Sequence, residues 1–161
     1  MQTNIGDMLP QSTFRIMTND GPQPKTTEEI FKDKKIVLFA VPGAFTPTCH
    51  KNHLPSYIAN YDAIMARGVD AIMVTSTNDP FVMSAWADST GAKGKIEFLS
   101  DGNCDFAKAT GLALDGTGFG LGMRSKRYAM IVKDGKVEWM AVEDSPSTAD
   151  ASGAEALLKH L

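Results

Sequence analysis

The chain has 161 residues, 43% hydrophobic and 22% charged, the usage of an ordinary globule long enough to bury one core. A formal net charge of -3 gives no broad attraction for nucleic acid or an anionic membrane surface. No apolar run approaches the roughly 20 residues needed to span a bilayer, so no membrane association is expected.

Met1 to Asp7 has neither the basic nor the apolar region of a secretory signal, and the two cysteines, Cys49 and Cys104, are no disulfide framework. A cytoplasmic, reducing location is therefore expected. Neither cysteine belongs to a Cys-x-x-Cys pair, and the three histidines show no metal-ligand spacing with them.

In chain order, Thr13-Phe14-Arg15-Ile16-Met17 alternates with period two and predicts a half-buried strand, followed by turn chemistry at Asn19-Asp20-Gly21-Pro22. Thr26-x-x-Glu29 reads as a capping box opening a helix through about Lys32. Ile36 to Val41 is an apolar strand. Leu54, Tyr57, Ile58, Tyr61, Ile64 and Met65 form a helical stripe in which Pro55 should distort the first turns, and Gly68 suits a stop. Val69 to Thr75 reads as a strand, and Asp79-Pro80 opens a helix to Thr90 with Gly91 as its C-cap. Ile96 to Leu99 is another strand, and a short helix covers Phe106 to Thr110. Tyr128 to Val132 and Val137 to Val142 flank Asp134-Gly135, a hairpin turn. Ser152-x-x-Glu155 reads as a capping box for a final helix through Leu161. Alternating strands and helices closed by a hairpin predict a single α/β domain over residues 1–161, its mixed central sheet flanked by helices on both faces.

The chemistry concentrates in Pro42-Gly43-Ala44-Phe45-Thr46-Pro47-Thr48-Cys49, between the apolar strand and the helical stripe. That order puts Cys49 near a helix N-terminus, where unpaired N–H groups and the helix dipole favour negative charge. The thiolate is the nucleophilic form of cysteine, so the site is suited to attack on an electrophile. Thr46 could cap the helix, with Pro47 at its first position, and aim its hydroxyl proton at substrate or sulfur. Pro42 either shapes and dries the pocket or simply ends the strand.

The spacing Pro42-x-x-x-Thr46-x-x-Cys49 resembles the active-site signature of peroxiredoxins, and the full run is similar to their fifth (plant type II) subfamily. Val74 to Met83 and the strand after Arg127 extend the resemblance over most of the chain. It implies a thioredoxin-like fold with an added N-terminal hairpin. It also implies a thiol-dependent peroxidase reducing hydrogen peroxide and small alkyl hydroperoxides, through a Cys49 sulfenic acid. Electrons would come from an external thiol, either glutathione with glutaredoxin or thioredoxin. The resemblance implies no metal, flavin or nicotinamide cofactor, and it suggests a homodimer.

In Arg124-Ser125-Lys126-Arg127-Tyr128 the arginine that directly precedes the strand, Arg127, matches the family's cation beside the nucleophile, with Arg124 as the alternative. His50 should turn away from Cys49, whereas His53 lies one turn on, on the same face. The resemblance assigns neither any chemistry. Gly118 to Gly122 reads as a tightly turned or mobile loop. Cys104 reads as structural, with pairing to Cys49 as the alternative, since neither Lys51–Gly68 nor Ser145–Leu161 holds a resolving cysteine. Two other functions use the same residues: a peroxide sensor or redox-regulated holdase, and a thiol–disulfide oxidoreductase, which the lack of Cys-x-x-Cys disfavours.

Overall fold

The computed structural model describes residues 1–145 and 147–161. Its main sheet has seven strands: β1 (Thr13–Thr18), β2 (Gly21–Thr26), β3 (Lys35–Ala40), β4 (Ala71–Ser76), β5 (Ile96–Ser100), β8 (Tyr128–Lys133) and β9 (Lys136–Val142). The strands lie in the order β2-β1-β5-β4-β3-β8-β9, with β3, β4 and β5 mutually parallel and the other pairs antiparallel. The sheet is mixed, as expected. Two short strands, β6 (Ala113–Asp115) and β7 (Met123–Ser125), form a separate hairpin.

β3 shows why the sheet is covered twice. Its residues are almost all apolar, and pleating sends alternate side chains to opposite faces. Val37 and Phe39 join one core with Tyr57, Ile64, Val74, Trp86 and Leu157. Ile36, Leu38 and Ala40 join the other with Phe14, Phe31, Phe106 and Met130. The first core is roofed by α2 (Leu54–Ala59), α3 (Tyr61–Met65), α4 (Pro80–Thr90) and α6 (Ala154–Leu158), the second by α1 (Thr27–Phe31) and α5 (Asp105–Ala109).

Several local expectations hold in detail. Thr26 and Glu29 form a reciprocal capping box, Asp79 caps α4 through Val82 N–H, and Gly91 ends α4 at φ 72°. Asp134 and Gly135 both take positive φ, as a tight hairpin turn requires.

Other features differ from the sequence reading. The turn at Asn19-Asp20 leads into a full partner strand, β2, in register from Thr13↔Thr26 to Thr18↔Gly21. Pro22 and Pro24 obscure it. Two positions apart, they lose their N–H groups along one edge, and β2 is the edge strand. The long stripe after Pro47 is not one helix. A π-helical turn occupies Cys49–His53, with Leu54 N–H bonded to Cys49 O, five residues back. Pro55 has no N–H and crowds the preceding turn, which accounts for a widened turn there. A second break falls at Asn60 (φ -103°, ψ 13°), whose side chain donates to Ser56 O at 2.8 Å. The glycine run from Gly118 to Gly122 closes the β6–β7 hairpin as a tight loop, with Gly116 N–H on Gly122 O at 2.7 Å. Finally, Ser152 does not cap α6. Gly153 stands at that position without a side-chain bond, and the hydroxyl and N–H of Ser152 both go to Glu143.

Candidate active site

The parallel pairing of β3 with β4 continues past the strand end, where Val41 N–H bonds Thr75 O at 3.1 Å. The chain then turns through Pro42 and Gly43, both buried. Ala44 N–H donates to Asn78 Oδ1 at 2.8 Å, pinning the loop to the segment between β4 and α4. Phe45 is forced to φ 63°, a left-handed conformation that an aromatic residue adopts only under constraint. Its ring stacks on His50 at 5.8 Å, and His50 Nδ1 accepts from Trp86 Nε1 at 3.1 Å. His50 is thus occupied in packing, turned from the sulfur.

Thr46 opens the helix through its backbone carbonyl, which accepts from His50 N–H at 2.9 Å. Its hydroxyl does something the sequence reading did not anticipate. The proton goes back to Gly43 O at 2.7 Å, closing the loop on itself, so the oxygen's capacity to accept is what remains for a ligand.

Cys49, fully buried, follows in the first turn. Arg127 Nη2 donates to Cys49 Sγ at 2.8 Å, across 78 residues of sequence. Arg127 is itself only 2% exposed, one residue ahead of β8, where the antiparallel β3–β8 pairing delivers it beside the cysteine loop. Arg124 bonds a different partner. Its Nε donates to Leu121 O at 2.8 Å, and its Nη1 would stand 3.6 Å from a methyl placed on Gly43.

His53, expected on the Cys49 face one turn on, is a residue to which the resemblance assigns no chemistry. It is fully buried, and its Nδ1 lies 3.0 Å from Arg127 Nη1, with Nε2 3.0 Å from Ser152 O. A guanidinium only donates and a carbonyl only accepts, so the imidazole is neutral, with its proton on Nε2. Burial first, and the Arg127 charge second, hold its pKa down to about 3. The fourfold spacing from Cys49 was the available signal; the partner was invisible because it lies 74 residues away.

Cys104 sits at the start of α5 with φ 63°, and burial followed by the nearby Asp101 pushes its thiol up. It is 5% exposed, so its thiolate is disfavoured and access to it is poor. A cavity of about 430 Å³ lies between β1, α4 and β5 and is lined by none of these residues. Among the described residues no helix is long and apolar enough to cross a membrane.

Cys49, Arg127 and His53 thus form one buried contact chain, which begins where the loop that carries Pro42 and Thr46 ends. An ionisable sulfur held against a fixed cation can attack a polar, weakly bonded atom pair and have the departing charge met by N–H donors. Comparison with known proteins agrees with this chemistry. The chain matches the Redoxin family over residues 4–158. It is 45% identical over 146 residues to Peroxiredoxin sll1621 of Synechocystis, covering 85% of this chain and 77% of that protein. It is 42% identical to Peroxiredoxin-2C of Oryza sativa, covering 98% and 97% respectively. Reduced Prx3 of Vibrio vulnificus, solved in complex with hydrogen peroxide, superposes with a TM-score of 0.94 at 45% identity over 99% of both chains.

Proposed function

The chain belongs to the peroxiredoxins of the Redoxin family, thiol-dependent peroxidases on a thioredoxin-like fold, and we propose from that premise how its own residues carry the reaction. Cys49 is the peroxidatic nucleophile. Its sulfur attacks the terminal oxygen of hydrogen peroxide or a small alkyl hydroperoxide, and the O–O bond breaks. The electron pair leaves on the distal oxygen, which takes a proton to become water or an alcohol. Sulfur is oxidised by two electrons to the sulfenic acid.

The observation that carries this reading is the 2.8 Å bond from Arg127 Nη2 to Cys49 Sγ, made by a buried guanidinium held in place at its other nitrogen. A planar fork of donors beside the sulfur can also meet the charge that grows on the peroxide oxygens. Thr46 has committed its proton to Gly43, so it serves as acceptor for the peroxide O–H and fixes the angle of approach. Pro42 contributes a buried wall with no N–H to compete for the substrate.

An external thiol resolves the sulfenic acid: it attacks the oxidised sulfur, water leaves, and a second thiol releases Cys49 from the mixed disulfide. Glutathione with glutaredoxin, or thioredoxin, supplies these electrons. The protein acts as a homodimer in a reducing, cytoplasmic setting, in keeping with its two buried free thiols.

The test is peroxide consumption with glutathione/glutaredoxin and thioredoxin supplied separately, on wild type and Cys49→Ser. Wild type should turn over many equivalents with at least one reductant, and the variant none. A single equivalent consumed with both reductants present would overturn the catalytic reading.

A further inference from the structure

Behind Arg127 and His53 the contacts continue into a segment that no step of the reaction uses. Ser152, fully buried, accepts two bonds at its carbonyl, from His53 Nε2 at 3.0 Å and from Tyr57 Oη at 2.7 Å. Its own N–H and hydroxyl both donate to the same oxygen of Glu143, and Thr148 Oγ1 donates to the other at 3.2 Å. Glu143 is in turn anchored beside the site, since its N–H donates to Arg127 O at 2.9 Å, extending the β8–β9 ladder by one bond. One carboxylate therefore ties the turn before α6 to the strand end that carries the arginine.

We propose that Glu143, acting through Ser152, is a positioning residue for the Cys49 site: it holds the Ser152 carbonyl where His53 donates its Nε2 proton. The proposal rests on the peroxidase reading above. Its logic is one of tautomers. A carbonyl at Nε2 obliges the imidazole to carry its proton there, which leaves Nδ1 as an acceptor for Arg127 Nη1. Were Ser152 released, the proton could move to Nδ1, and two donors would then face each other. The guanidinium would turn away, and with it the Nη2 group bonded to sulfur.

The electrostatics support the same arrangement. Burial opposes the charge on Glu143, yet the bonds from Ser152, from Thr148 and from the Ala151 backbone outweigh it and hold its carboxyl below the usual range. It is charged wherever the enzyme works, and a charged acceptor makes the stronger bonds. Glycine is required next door for space, because a Cβ on Gly153 would come within 2.8 Å of Ala149 O. The turn that presents Ser152 thus has little slack.

The experiment compares wild type, Glu143→Ala, Glu143→Gln, His53→Gln and the double variant Glu143→Ala/His53→Gln. Cys49 oxidation by hydrogen peroxide is followed by stopped flow, and the His53 tautomer by long-range ¹H–¹⁵N NMR. Glu143→Ala should slow oxidation by about tenfold, the scale on which loss of an orienting partner acts. It should also convert His53 from one Nε2–H signal set to a mixture. Glu143→Gln keeps an oxygen acceptor for Ser152 and should restore most of the rate. In the His53→Gln background, adding Glu143→Ala should cost less than about twofold, because the path runs through the imidazole. An Nε2–H tautomer and a rate unchanged in Glu143→Ala, or an equal loss in both backgrounds, would overturn the proposal. Should Glu143→Ala not fold, Ser152→Ala removes one of the two bonds to the carboxylate and must shift the same NMR signals. The tautomer readout needs no turnover, so a chain that shows it but consumes no peroxide would refute the peroxidase reading and leave the Glu143 link standing.

Discussion

Arg124 and Arg127 stand three positions apart, and only one of them reaches the sulfur. Arg127 donates to Cys49 Sγ from a buried position, while Arg124 bonds Leu121 O at the loop edge. Arg127→Ala should therefore slow Cys49 oxidation by about 10² to 10³, the usual cost of a donor aimed at developing charge. Arg124→Ala should cost far less, and the reverse order in stopped-flow oxidation would assign the cation to the wrong residue. Cys104 offers a second contrast. Its left-handed backbone, burial and raised thiol make it a poor partner for the oxidised sulfur. Cys104→Ser should keep most turnover with an external thiol. Excess peroxide should then carry Cys49 on to the sulfinic state in either protein, an adduct of about two oxygens by intact mass that external thiol suppresses. An intramolecular Cys49–Cys104 disulfide after one equivalent of peroxide would contradict this. Cys49 and Arg127 could be brought together from the sequence through the resemblance, which implies an arginine at the start of the strand beside the nucleophile. The sequence could not pair His53 with Arg127, or Glu143 with Ser152, since those bonds join segments with no local pattern in common.

At the scale of elements, strong local chemistry was readable and tertiary substitution was not. The capping box at Thr26, the Asp79-Pro80 start and the Asp134-Gly135 turn depend on neighbours in sequence, so they appear where their motifs stand. The motif at Ser152-x-x-Glu155 looks the same, but Glu143 outcompetes the helix terminus for the serine, and the cap is left to Gly153. Pro55 announced a distortion without its form, because a π turn and a kink satisfy the same missing N–H. Gly111, just past the end of α5, has a tertiary duty. It takes φ 72°, and a Cβ there would lie 2.6 Å from Met1 O and 2.8 Å from Gln2 Cα. The N-terminal segment is bonded at that point, Thr3 N–H to Thr110 O at 2.7 Å. Gly111→Ala should thus cost about 1–3 kcal/mol, backbone strain and displaced chain together. Urea unfolding measures it, and a midpoint equal to wild type would mean that Met1 to Thr3 contributes nothing to the fold.

For the whole molecule, the buried imidazole couples the site to acid stability. His53 in the folded protein has its pKa lowered to about 3 by burial and by Arg127, from the ordinary imidazole value of 6.5. Between those values the unfolded chain binds a proton that the folded one refuses, so stability is full above about pH 6.5 and falls as pH drops toward 3. From pH 7 to pH 5 the loss amounts to about 2 kcal/mol, from the linkage slope of about 1.4 kcal/mol per pH unit. Among the described residues no other shifted group makes the fold less stable as pH falls through that interval. Glu143, lowered in the fold, adds to the loss only below its ordinary carboxylate range, whereas Asp101, raised chiefly by burial, acts from its ordinary value upward and in the opposite sense, gaining stability as pH falls. Cys104 and the two buried tyrosines, Tyr57 and Tyr128, have raised values and so weaken the fold only in alkali. The decline between pH 7 and pH 5 is therefore assigned to His53. His53→Gln can still accept from Arg127 and donate to Ser152 O, but it has no proton to take up. Its urea midpoint should stay level across that interval while the wild-type midpoint falls. Parallel declines in the two proteins would place the acid-sensitive group elsewhere, and a level wild type would mean that the imidazole is not held neutral by the fold.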